Sequence, residues 1–340
     1  MSNATVVGGI LRARYRIVQL IGEGGSGAVY AAEDMRLAGR LSAIKEIRPD
    51  PYATSAQMSQ AQTQFRREAM ILARLDHPNL PKVYDFFVED GRSYLVMDYV
   101  DGPDLRQLVD GARGRGEFLR EATVLDWLSQ LLDALEYLHT QSPPVIHRDV
   151  KPANIKLTPQ GRIKLVDFGL VKPLDPEDPR TITVVRGVGS LPYTPLEQYG
   201  GADHTLPRSD IYAVGATLYH LLTGRIPVTA QQRFLEPQSL VAPRSLNPAI
   251  SPTVEKVILS AMSMHPDQRP SSVAELRAQL EPDRAGDGGA GGHVWARAVR
   301  ENFYLVVLVA LLLGLAIFAT ARIAASPPAA TPTPITTTAP

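Results

Sequence analysis

The stretch Val145-Ile146-His147-Arg148-Asp149-Val150-Lys151-Pro152-Ala153-Asn154 decides most of what this chain's fold and chemistry can be. A carboxylate two residues before a lysine and five before an asparagine supplies what transfer of a phosphoryl group to a hydroxyl requires. Asp149 would orient the hydroxyl and accept its proton, Lys151 would neutralise charge on the moving group, and the Asn154 amide oxygen would help hold a metal. A bare His-Arg-Asp triplet recurs by chance. The full string carries more weight because its companion segments occur upstream and downstream in the right order.

The upstream companion is Gly22-Glu23-Gly24-Gly25-Ser26-Gly27-Ala28-Val29. Glycines at the first, third and sixth places let a hairpin backbone close over phosphates without side-chain clash. A dinucleotide-binding turn of the same spacing needs a helix directly after it. Here strand-like stretches at residues 15–21 and 29–33 flank the glycines, and a third follows in Leu41-Ser42-Ala43-Ile44-Lys45-Glu46-Ile47. Strand–turn–strand argues against the dinucleotide site. Lys45 ends an alternation that points Ala43 and Lys45 toward the same phosphate-facing pocket. Residues 65–75 carry apolar positions at helical spacing and include Glu68, which can pair with Lys45 and hold it on the α- and β-phosphates.

Together these segments resemble the protein-kinase superfamily and, within it, the bacterial Ser/Thr kinases of eukaryotic (Hanks) type, over roughly residues 15–280. The resemblance implies an α+β, two-lobed fold with a small β-rich N-lobe (about 15–99) and a larger helical C-lobe (about 100–280). It implies ATP and Mg²⁺, with Mn²⁺ as a substitute, and protein substrates that present Ser or Thr hydroxyls. Ile21, Gly22, Glu23, Gly24, Gly25, Ser26, Gly27, Val29 and Ala43 would line the nucleotide, with Met97 the gatekeeper and Asp98, Tyr99 and Val100 the hinge. Asp149, Lys151 and Lys45 would be catalytic. Asp167-Phe168-Gly169, thirteen residues after Asn154, would supply the second metal ligand beside Asn154. Asp210 would brace the catalytic loop from a hydrophobic helix, and Arg269 would pair with Glu197 at the close of the activation segment.

Three positions depart from the family pattern. The proline usually just before the closing glutamate sits one place earlier, as Pro195-Leu196-Glu197. The residue two after Asn154, normally apolar and forming the floor under adenine, is Lys156, whose stem can pack against a ring while its ammonium reaches outward. Ser190 stands where a threonine normally contacts the catalytic aspartate, so the hydroxyl is retained.

Lys+Arg and Asp+Glu both number 35, so no global field favours nucleic acid, and none is expected as a partner. Cysteine is absent, which excludes disulfides, thiolate catalysis and cysteine-held metals. Residues 1–14 form an N-terminal extension, and 1–9 lack the basic start and apolar core of a secretory signal. Residues 48–62 look like a polar connection, and residues 126–139 like a long amphipathic helix. Residues 175–189 look mobile. Within them Thr181 and Thr183, with Arg180 and Arg186 nearby, are candidate regulatory phosphosites, because an arginine directly before the catalytic aspartate (Arg148) lies in this family beside a phosphate-accepting pocket.

Residues 281–302 are glycine-rich and look like a juxtamembrane tether. Residues 303–321 run nineteen long without a charge, and at ~1.5 Å per residue a helix of that length spans about 28 Å, close to a bilayer's hydrocarbon core. A membrane helix over 303–322 is therefore expected, followed by a Pro/Thr-rich tail at 323–340 outside the cell, with the ATP-using part in the cytoplasm. The expectation is a single-pass, membrane-anchored, non-specific serine/threonine protein kinase for signal transduction, with a homodimer for phosphorylation in trans. The Lys151-containing string favours Ser/Thr over Tyr. Two other classes are weaker: a pseudokinase scaffold usually lacks one of Lys45, Asp149, Asn154 or Asp167, and a small-molecule phosphotransferase of this fold generally lacks Glu197, Asp210 and Arg269.

Overall fold

The computed structural model describes residues 6–24, 27–37, 39–49, 52–167, 188–199 and 205–280. Gly25, Ser26, Phe168, Gly169, Arg180, Thr181, Thr183, Arg186 and the span 303–322 lie outside them. Among the described residues no helix is long and apolar enough to cross a membrane.

The N-terminal half is a six-stranded sheet: β1 (Ile10–Leu11), β2 (Tyr15–Gly24), β3 (Gly27–Asp34), β4 (Leu41–Ile47), β5 (Val83–Glu89) and β6 (Arg92–Asp98), in spatial order β1-β2-β3-β4-β6-β5. Every neighbouring pair is antiparallel. The sheet thus begins inside the expected N-terminal extension, because Ile10 and Leu11 pair with Arg16 and Tyr15. Strand residues alternate between faces, and β4 uses both. Ile44 and Glu46 turn to one side, where Tyr15, Tyr30, Phe87, Tyr94 and Val96 form an aromatic-rich core. Ala43, Lys45 and Ile47 turn to the other, toward α1 (Ser55–Arg74).

Helix α1 begins at Ser55, so the second half of the expected connection over 48–62 is helical. Thr54 caps it: its hydroxyl accepts the Gln57 N–H at 3.3 Å and its own N–H donates to Gln57 Oε1 at 2.8 Å. The first two turns are mostly solvent-facing Ser, Ala and Gln, which form helix readily but leave no apolar periodicity to find. Phe65, Glu68, Ala69 and Leu72 on the later turns are buried.

Helix α2 (Leu105–Gly114) opens the C-terminal half, and α3 (Glu121–His139) follows, starting five residues before the expected 126. The Glu121 carboxylate in its first turn accepts the Ser251 N–H at 2.7 Å, and Val124 is fully buried. Between the short paired strands β7 (Ile155–Leu157) and β8 (Ile163–Leu165) and the C-terminus lie α4 (Pro207–Thr223), α5 (Ala230–Leu235), α6 (Pro243–Leu246), α7 (Pro252–Ala261) and α8 (Val273–Leu280). Every residue from Ser209 to Thr223 is buried, so α4 is the axis of this half.

The strand-to-helix crossing after β6 is stitched to β7. Gly102 has φ +117°, and a Cβ there would stand 2.0 Å from the Leu157 carbonyl oxygen. Leu157 N–H donates to Pro103 O at 2.8 Å, and Asp104 bridges to Lys156. Lys156, paired with Lys164, is half-buried in that register.

Candidate active site

The residues of the deciding stretch converge on Asp149. Asn154 sits in a single 3₁₀ turn, Pro152–Asn154, just before β7. That turn brings its Nδ2 back onto both the Asp149 carbonyl and Asp149 Oδ2, each at 2.9 Å. Lys151 Nζ donates to Asp149 Oδ2 at 2.7 Å and to the buried Ser190 hydroxyl at 2.6 Å. Ser190 thus meets Lys151, which itself holds Asp149, and the lysine links the loop to the segment beyond residue 188.

Asp167 follows β8, and the Val166 N–H donates to Asn154 O at 2.8 Å, which ties the two segments together. Asp167 adopts the left-handed backbone region, φ +59°. Lys45 Nζ reaches across from β4 and donates to Asp167 Oδ1. Burial pushes the Asp167 carboxyl up, and the Lys45 ammonium more than offsets this, holding it below the ordinary carboxylate range. Glu68 is buried on α1, where its Oε1 accepts from Gln64 Nε2 at 2.8 Å. Its pairing with Lys45 remains an expectation of the sequence.

Beneath the loop, Asp210 is fully buried at the start of α4. Its Oδ2 accepts the His147 N–H at 2.9 Å and its Oδ1 the Arg148 N–H at 2.8 Å. His139, at the end of α3, contacts Oδ2 at 2.9 Å, and because a carboxylate only accepts, the imidazole Nε2–H donates. Burial pushes this carboxyl up, and the His139 bond together with the amide donor reverses the shift to below its ordinary value. Glu197 is gripped by the buried Arg269 at 2.6 and 3.1 Å, and the Ser209 hydroxyl adds a bond at 2.9 Å. His139 and Ser209 belong to these braces yet carry no motif of their own. Ser209 could have been suspected only from its place beside Asp210.

At the crossing between the halves, Met97 is buried and its carbonyl accepts from the Tyr84 hydroxyl at 2.8 Å. The Asp98 side chain points away from the cleft, accepting the Lys82 N–H at 2.9 Å, so any nucleotide contact from Asp98 is through its backbone. Val100 is buried beside it. Ile21, Gly22, Glu23 and Gly24 run along β2, paired with β3 up to Gly24 opposite Gly27. At Gly27 a side chain is impossible, since a Cβ would lie 1.8 Å from the Glu46 carbonyl oxygen. Val29 and Ala43 lie on β3 and β4.

The donor set fits a hard cation. Both hydrogens of the Asn154 amide are directed at Asp149, which leaves its Oδ1 as the atom available to a metal, and the Asp167 carboxylate is anionic. Among the described residues no group of three or more His, Cys, Asp or Glu forms a metal cluster by itself. One carboxylate and one amide match Mg²⁺, which takes much of its shell from phosphates and water.

The sequence profile of the protein kinase domain matches residues 15–280. The serine/threonine-protein kinase PrkC of Bacillus subtilis (strain 168) is 36% identical over 283 residues, covering 81% of this chain and 41% of PrkC. The serine/threonine-protein kinase pkn3 of Myxococcus xanthus is 36% identical over 291 residues, covering 81% of this chain and 51% of pkn3. This chain thus spans roughly 41–51% of the length of these relatives. Among solved structures, the apo form of PpkA-294 superposes with a TM-score of 0.64 at 29% identity, covering 82% of this chain and 100% of that one. The Mycobacterium tuberculosis PknI kinase domain superposes at 0.62 and 29%, covering 82% and 98%. The chain belongs to the protein kinase family, with its two-lobed fold of a β-rich N-lobe and a helical C-lobe.

Proposed function

We propose that this chain is a serine/threonine protein kinase that moves the γ-phosphoryl group of ATP to Ser and Thr hydroxyls of proteins. The observation that carries the reading is the Asp149–Lys151–Asn154–Ser190 constellation facing the Lys45–Asp167 pair. Asp149 Oδ2, held by two donors, is placed to orient an acceptor hydroxyl and take its proton. Lys151 offsets charge on the transferring group and spans Asp149 to the Ser190 segment, which lies on the acceptor side. Lys45 and the glycine strands hold the triphosphate, and the hinge backbone holds adenine. Asn154 and Asp167 would hold Mg²⁺, or Mn²⁺ in its place, and the cation would supply positive charge against the charge developing on the transferring group. The Ser/Thr relatives and the intact Lys151 string support aliphatic hydroxyls as acceptors over Tyr.

The same reading includes a bilayer anchor at 303–322 with the kinase part in the cytoplasm, activation by phosphorylation at Thr181 or Thr183, and a homodimer that performs it in trans for signalling. Uncharged length supports the anchor, and Arg148 beside Asp149 supports the phosphosites. The deciding experiment incubates the full chain with γ-labelled ATP and Mg²⁺ beside a general acceptor such as myelin basic protein. Label on Ser and Thr, lost in Asp149→Asn, is expected. Absence of label from both chain and acceptor overturns the reading.

A further inference from the structure

On the sheet face turned away from Lys45 lies a charged cluster that phosphoryl transfer does not use. Glu46, the neighbour of Lys45 in β4, is fully buried among aromatic rings. Its Oε2 accepts the Tyr30 hydroxyl at 2.9 Å, and its Oε1 accepts Arg92 at 2.7 Å and Arg48 Nε at 3.3 Å. A buried carboxylate with this many donors is costly to disturb and fixes the groups around it. Arg48 is one of those groups. Its other arm, NH2, reaches Glu23 Oε1 at 2.8 Å. Arginine's planar fork suits such spanning, since one guanidinium can address two carboxylates in set directions.

Glu23 stands between Gly22 and Gly24 in the strand that leads over the nucleotide. Those glycines offer nothing to grip, and no heavy atom lies within 4 Å of where a Cβ would be at either. Glu23 is therefore the side-chain handle on this segment. An isolated surface pair contributes little because two long side chains must be ordered to make it. Here Arg48 is already ordered from below by Glu46, so that ordering cost is reduced.

We propose that Glu23 and Arg48 form a tether that sets the position of the glycine strands over the triphosphate, making Arg48 a positioning residue for ATP from the opposite face of the sheet. The proposal rests on the kinase reading for its effect on ATP, while the tether itself can be read without activity. Hydrogen exchange on the nucleotide-free chain is measured at the amides of residues 22–24 in wild type, Glu23→Gln, Arg48→Ala and the double variant. Both single variants are expected to exchange faster at these amides. In steady-state assays each is expected to raise the KM for ATP by about threefold to tenfold, the scale of one coupled contact, with kcat falling less than about twofold. The double variant is expected to match Arg48→Ala, since a broken tether cannot be broken again, and Arg48→Lys is expected to recover part of the loss. Raised salt should increase the KM for ATP in wild type more than in Arg48→Ala.

Unchanged exchange in both single variants overturns the tether whatever the activity. So do effects of the two substitutions that simply add in the double variant. Glu23→Gln alters only a half-exposed side chain, so it decides the matter even if Arg48→Ala fails to fold. A wild-type chain that transfers no phosphate, yet shows faster exchange in both variants, retains the tether and loses the kinase reading.

Discussion

Asp210 Oδ1 accepts the backbone N–H of Arg148 at 2.8 Å, from a helix that begins more than fifty residues later in the chain. Arg148 has φ +68°, in the left-handed region that bulky L-residues avoid, so this residue needs external bonds to stay there. Asp210→Asn keeps the volume but turns one acceptor into an N–H facing an amide donor or His139. Breaking a buried charged network of this kind costs about 3–5 kcal/mol. Urea unfolding should show a loss of that order, and kcat should fall by more than tenfold, on the scale of ~1.4 kcal/mol in the barrier.

Asp149→Asn removes proton acceptance while leaving the Asn154 bond to the loop backbone. General-base loss typically costs about 10²–10⁴ in rate. The expected result is a kcat reduced by about a hundredfold or more with ATP affinity nearly unchanged, measured by steady-state kinetics and nucleotide titration. Lys151→Ala, which cuts the contacts to both Asp149 and Ser190, should lower kcat comparably and also raise the KM for the protein acceptor.

The Glu197–Arg269 pair makes acid stability predictable in sign. Burial pushes the Glu197 carboxyl up, and the Arg269 fork with Ser209 more than offsets this, so its folded pKa lies below the ordinary value. A carboxyl with a depressed folded pKa stabilises the fold fully above its unfolded pKa of about 4.3, and that contribution vanishes as pH falls through the folded value. Unfolding free energy measured between neutral and acidic pH should therefore drop through this window. Glu197→Gln should be less stable near neutrality and show a shallower drop. Arg269→Lys should also be less stable near neutrality, since an ammonium cannot make both bonds.

If residues 303–322 cross a bilayer, the full chain should sediment with membranes and resist carbonate and high-salt washes, and a chain ending at Leu280 should stay in solution with its kinase activity. Recovery of the full chain in the supernatant without detergent contradicts the span.

Replacing both Thr181 and Thr183 by Ala should lower activity several-fold. A phosphate there would add about −1.5 to −2 charges. Mass spectrometry of fully active protein with both threonines unmodified would refute the assignment.

The chemistry was legible where residue type and spacing coincide with need. Asp149, Lys151 and Asn154 lie within six residues, so one local turn brings them together and the sequence displays the turn. Lys45 and Asp167 are 122 residues apart, and their direct contact was not foreseen, since the sequence offered Glu68 as the partner of Lys45. What stayed hidden was carried by residues with ordinary neighbours. Nothing in Leu138-His139-Thr140 marks His139 as a donor to Asp210, because that contact depends on how α3 packs beside α4. The start of α1 was invisible for another reason: its exposed first turns bury nothing, so only the Thr54–Gln57 capping geometry marks it. The Glu46 cluster was masked by its neighbour, since the motif in β4 lies on the Lys45 face and Glu46 points to the other.

Because the Gly102–Asp104 segment is bonded edge-on to β7, it moves with the C-lobe. On the other side, Asp98 is bonded to Lys82 through both its side chain and its N–H, and so moves with the N-lobe sheet. Any breathing of the cleft is thereby concentrated in the peptide links of residues 99–101. Nucleotide entry and release would then be governed by torsions in a pivot a few residues long, directly beside the adenine edge, and a proline or a bulky β-branched residue placed there would stiffen the gate without touching a catalytic atom.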